Sequence, residues 1–167
     1  SVADVNRSFD LINRHSKVLD LVTLNTVLST CARSQGDNSY QRAKDLLFDM
    51  KEAKYGSISP DVISFNNVLA ACHDPIQCLN LIEEMRMSRK FQRFNFIEPS
   101  PVTYTNAIKA CAVHMRSQRL VEVSKESTHH IELLNTSLNE KIVTKIYEYA
   151  TSDKKVTYIV RSAYLQI

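Results

Sequence analysis

The chain has 167 residues, 44% of them hydrophobic and 23% charged, with a net charge of +3. That composition supports a buried core and excludes a disordered chain, and the mild charge permits a nucleic-acid partner without demanding one. Two glycines and four prolines are too few for the tight turns of an all-β fold, so the expected class is all-α.

From the N-terminus, Val2, Val5, Phe9 and Ile12 form an apolar stripe and predict the second helix of a truncated unit spanning 1–20. Residues 21–32 predict a first helix, and Ala43, Leu46, Leu47 and Met50, at i, i+3, i+4, i+7, predict its partner. Residues 62–73 predict the next first helix. Asp74-Pro75 is a strong helix start, and Cys78, Leu81, Ile82 and Met85 repeat the apolar spacing behind it. Pro60 and Pro99 close their units by excluding the preceding residue from a helix. Residues 101–112 open a third pair whose second member, beginning at Leu120, Val121 and Val123, is poorly patterned. A final pair is expected from 141–150 and from Val156, Ile159, Val160 and Ala163. Connections are predicted near 34–38, 57–60, 73–74 and 99–101.

Three of these segments superimpose without gaps. Residues 21–32, 62–73 and 101–112 each carry Val or Ile second, Ser or Thr third, and Leu or an aromatic fourth. Asn or Thr follows at the fifth position, and a cysteine six residues later. A fixed period of this size marks stacked helical hairpins, none of which buries its apolar face alone. The units run at about 21–61, 62–100 and 101–138, followed by a degenerate hairpin at 139–167, all within one domain spanning 1–167. The expected architecture is a right-handed α–α superhelical solenoid.

Val22-Thr-Leu-Asn25 with Met50 and Pro60-Asp61, Val62-Ile-Ser-Phe-Asn66 with Met85 and Pro99-Ser100, and Val102-Thr-Tyr-Thr105 together resemble the pentatricopeptide repeat (PPR) family over nearly the whole chain. The tetratricopeptide pattern opens on a tryptophan, and this chain has none. The resemblance implies an organellar protein, of mitochondrion or chloroplast, that binds single-stranded RNA at about one base per intact repeat. It further implies that Asn25 with Asp61 and Asn66 with Ser100 meet base edges, the first pair resembling a uracil reader and the second a cytosine reader. Thr105 stands at the same fifth position of the third unit, followed at the junction by the apolar Leu138. Val22, Ile63 and Val102 would be the aliphatic supports between which bases lie. In the final hairpin Val143 takes the fifth position and has no group with which to read a base. The units are longer than the family's usual repeat, the additional residues falling at 34–40, 54–59 and 86–98.

Arg86, Arg89, Lys90 and Arg93 interleave with Phe91, Phe94 and Phe96, a pattern able to grip phosphate or a protein partner, or to be a solvated helix extension. Cys31, Cys72, Cys78 and Cys111 form no C-x-x-C pair and read as packing side chains, and no cofactor is expected. No glycine-rich phosphate loop, catalytic acid pair or deaminase motif is present, so no enzymatic activity and no small-molecule substrate are expected. No apolar run reaches membrane-spanning length. The chain opens on Ser1, so a targeting presequence is expected to have been cleaved or to lie outside it. Two functions compete: a non-catalytic array holding pyrimidine-leaning single-stranded RNA, and a PPR-derived scaffold within a ribosomal, respiratory or photosynthetic assembly.

Overall fold

The computed structural model describes residues 1–14, 19–34, 36, 38–91, 97–122 and 129–165, and among these every regular element is a helix. In chain order they are α1 (Val2–Arg14), α2 (Leu21–Arg33), α3 (Ser39–Lys51), α4 (Val62–Ala71), α5 (Pro75–Phe91), α6 (Pro101–Glu122), α7 (His129–Ser152) and α8 (Tyr158–Tyr164). The all-α class read from the sequence is the class the chain adopts. The described non-helical residues at 34, 36 and 38, at 52–61, at 72–74 and at 97–100 fall at the four expected connections, with Pro101 already opening α6.

Two compact units result, one of residues 1–72 with 85–98, the other of residues 73–84 with 99–167. In the first, α2 packs along α4, α3 packs against both, and α1 lies on α2. Val5 and Ile12 of the predicted α1 stripe are buried, while the Arg42 guanidinium sits 4.2 Å over the Phe9 ring and donates to Asn6 Oδ1. Ala43, Leu46, Leu47 and Met50 are all buried on α3, as the spacing predicted.

In the second unit α6 packs against both α7 and α8, and α8 also touches α7. Here the helices are longer than the repeat suggests. Helix α6 continues through Leu120 and Val121, and Leu138 lies inside α7 instead of at a break. The physical reason is composition: after Pro101 the chain contains neither proline nor glycine, so no residue stops a helix locally. Of the predicted final stripe, Val160 and Ala163 are buried, whereas Val156 and Ile159 remain exposed. The ring of Tyr147 on α7 stacks on Tyr164 of α8 at 4.2 Å.

Without glycine at the right places, α3 and α7 end on other residues. The Lys54 N–H bonds Asp49 O and the Ala53 N–H bonds Met50 O; the Lys155 N–H bonds Ala150 O and the Lys154 N–H bonds Thr151 O. Both are Schellman closures, and both place a non-glycine residue in the left-handed region, Ala53 at φ 54° and Lys154 at φ 55°. Each costs about 1–2 kcal/mol relative to an ordinary helical residue.

All four cysteines are fully buried and none forms a disulfide. Burial pushes the Cys31 thiol above its ordinary value, which lowers its thiolate fraction further. A native sample should therefore react slowly with a thiol-specific chromogenic reagent and release its four equivalents only on denaturation. Rapid labelling of any cysteine in native buffer would show that the helix register is wrong.

Candidate functional site

The three superimposable segments become nearly all of α2, the whole of α4 with the two residues after it, and the first half of α6, and each repeat position acquires a recurring environment. The second positions are exposed: Val22 at 72%, Ile63 at 57% and Val102 at 56%. The fourth positions, Leu24, Phe65 and Tyr104, are buried, as are Cys31, Cys72 and Cys111 six residues after the fifth. In each helix the second and fifth positions are three residues apart and so share a face. Aliphatic side chains of this size are normally buried, and their recurrent exposure beside a polar position is the signal.

The junction residues prove to be helix caps. Asp20 accepts from the Thr23 N–H at 2.7 Å and from the Thr23 hydroxyl at 2.6 Å, starting α2. These bonds, the hydroxyl foremost, hold the Asp20 carboxyl below its ordinary value. The cap's contribution is thus present above the usual carboxylate range and fades as pH falls through the lowered value. At α4 a reciprocal capping box forms: the Ser64 N–H donates to Asp61 Oδ1 at 2.9 Å, and the Asp61 N–H donates to Ser64 Oγ at 3.1 Å. At α6, Ser100 and Thr103 make the same pair of bonds at 3.3 and 2.9 Å. The hydroxyl residue at every third position therefore has a local duty, a signal that was legible in the sequence as Asp-x-x-Thr, Asp-x-x-Ser and Ser-x-x-Thr.

Asn25 and Asp61, the first implied base-reading pair, are brought into contact. Asn25 Nδ2 donates to Asp61 Oδ1 at 3.1 Å, and Asn25 Oδ1 accepts from the Ser64 hydroxyl at 2.7 Å. The Asn25 backbone carbonyl accepts from Asn67 Nδ2 at 3.1 Å. This polar lattice ties α2 to α4 and leaves Asn25 half-buried. An open hollow of about 540 Å³ lies between α1 and α2, lined by Leu11, Ile12, Val22, Thr23 and Thr26 among others.

The remaining implied residues are placed less uniformly. Asn66 is half-buried on α4, and Ser100 caps α6 in the other unit. Thr105 is 6% exposed and its hydroxyl donates to Pro101 O at 2.8 Å within its own helix, so it presents little polar surface. Val143 is buried. Arg86 is half-buried on α5, while the side chains of Arg89 and Lys90, and the whole of Arg93, lie outside the described residues, as do those of Phe91, Phe94 and Phe96. Asp74 caps α5 as expected, accepting from the Ile76 N–H at 2.8 Å.

Among the described residues no group of three or more His, Cys, Asp or Glu could hold a metal ion, and no helix is long and apolar enough to cross a membrane. No family model, no curated protein and no solved structure matches this chain.

Proposed function

We propose that the chain is a short, degenerate array of pentatricopeptide type, coiled as a right-handed superhelix, that holds single-stranded RNA in an organelle without catalysing a reaction on it. The observation that carries this reading is the recurrent exposure of Val22, Ile63 and Val102 at equivalent places on three helices. A base lying against an aliphatic side chain buries apolar area whatever its identity, which suits a run of second-position supports.

Identity would be read beside Val22. Asn25 spends one amide N–H on Asp61 Oδ1, and its second N–H, with Asp61 Oδ2, makes a donor next to an acceptor. Uracil offers a carbonyl and an N3–H to such a pair. Cytosine held in the same register sets a lone pair at N3 against the carboxylate and is disfavoured there; it would have to shift so that N3 faces the amide and its N4 amino group the carboxylate.

Filter binding with short pyrimidine-rich single-stranded RNAs tests the reading. Affinity should be micromolar or tighter at low salt and fall steeply as salt rises, with a log–log slope of about −2 for some three phosphates neutralised. The combined replacement of Asn25 and Asn66 by alanine should abolish base preference. Absence of binding at low salt would end the RNA reading.

A second reading, a scaffold subunit of a large organellar assembly, is favoured by the apolar surface of α8, where Tyr158 is 86% exposed and Ile159 and Leu165 are also exposed. In that case both asparagines could be replaced without loss of incorporation, and changes at α8 would release the protein from its complex.

A further inference from the structure

We propose that Ser64, which itself touches no ligand, is a positioning residue that orients the Asn25 amide and thereby sets which base the Asn25–Asp61 pair accepts; this rests on the RNA reading above. An asparagine amide presents oxygen and nitrogen at nearly equal size, so only its hydrogen bonds decide which way it faces. Two bonds do so here. Asn25 Nδ2 is turned to Asp61 Oδ1 at 3.1 Å, and Asn25 Oδ1 is turned to Ser64 Oγ at 2.7 Å.

Beyond its part in the capping box of α4, Ser64 can act on a base only through Asn25. It is fully buried, so no RNA atom reaches it. Its oxygen accepts from the Asp61 N–H at 3.1 Å, and its single proton has two acceptors in range, Asn25 Oδ1 at 2.7 Å and Asp61 Oδ1 at 3.0 Å. The shorter contact takes the proton, because Asp61 Oδ1 is already served by the Ser64 N–H and by Asn25 Nδ2. A flipped amide would set Asn25 Oδ1 against the Asp61 carboxylate, acceptor against acceptor. With the serine hydroxyl gone, the amide keeps one anchor and pivots about it, so the donor it offers a base is no longer fixed in direction.

Thr23 provides the internal comparison. It occupies the same third position and completes the cap at Asp20, and its hydroxyl serves Asp20 alone. Thr23→Ala therefore removes an equivalent capping hydroxyl and leaves Asn25 anchored.

The experiment uses the full chain and single-stranded oligoadenylates carrying one uracil or one cytosine at each position in turn. The wild-type protein should prefer uracil over cytosine at one register. Ser64→Ala should shrink that preference by about three- to tenfold, the loss of one hydrogen bond, while affinity for an all-pyrimidine RNA changes by less than about twofold. Ser64→Thr should restore the preference, and Ser64→Cys, which fills the site with a weak donor, should behave like alanine. Thr23→Ala should leave the preference intact. In the RNA-free protein, the Asn25 side-chain amide protons should be resolved and slow to exchange by NMR in the wild type and exchange faster in Ser64→Ala. Preference that survives in Ser64→Ala, or that falls equally in Thr23→Ala, overturns the positioning role while RNA reading stands. A wild-type protein that binds no RNA removes the reading and this role together, even where the amide protons behave as described.

Discussion

Tyr104→Ala is expected to lower the unfolding free energy by about 3–5 kcal/mol, the range for truncating a buried aromatic to alanine. Tyr104 is a fourth-position residue on α6 with no exposed surface, and its hydroxyl donates to Asp153 in the turn between α7 and α8. Removing the ring opens a cavity within the second unit and also takes a donor from a carboxylate. Tyr104→Phe separates the two effects: it keeps the ring and should cost about 1.5–3 kcal/mol, the range for a hydrogen bond to a charged group. Urea titrations followed by helical circular dichroism measure both. A loss under about 1 kcal/mol for Tyr104→Ala would mean that α6 does not present this face to the core.

In the first unit a large effect is expected at Leu28. It is fully buried on α2, the helix that packs against α1, α3 and α4, and Leu28→Ala should cost about 2–5 kcal/mol. The contrast that gives the measurement meaning is Val22→Ala on the same helix. Val22 is exposed, so its truncation should change stability by less than about 0.5 kcal/mol while weakening any RNA that rests on it. A Val22→Ala variant as unstable as Leu28→Ala would place Val22 in the core and remove the second-position supports from the RNA reading.

These two residues, close in sequence and both aliphatic, have opposite fates. Local pattern alone identifies the helices: apolar residues at i, i+3, i+4, i+7 on α3, Asp74-Pro75 at the start of α5, and Pro60 and Pro99 between units are each short-range signals. Laying the chain on itself then aligns the fourth positions, which hold Leu, Phe or Tyr, and the second positions, which hold Val or Ile, but that the former are buried and the latter exposed is decided by packing. The caps were equally legible, since an Asp or Ser followed by Ser or Thr three residues later needs no distant partner.

Other features depend on residues far apart in the chain. Asn25 and Asp61 were paired by resemblance, but the lattice that joins them to Ser64 and Asn67 arises only when α2 and α4 lie side by side, because hydrogen bonds between helices are set by packing and not by propensity. Thr105 matches Asn25 in the alignment, yet its hydroxyl closes on Pro101 and it is buried in the second unit, an outcome its neighbours in sequence could not reveal. The extent of α6 and α7 was likewise undecided locally. A stretch without proline or glycine permits a helix to continue or to stop, so its length is not fixed by local signals. Helix identity and the polarity of each repeat position thus belong to the sequence. The partner of each half-buried polar group belongs to the tertiary structure, because an amide or hydroxyl satisfies itself with whatever packing brings within reach.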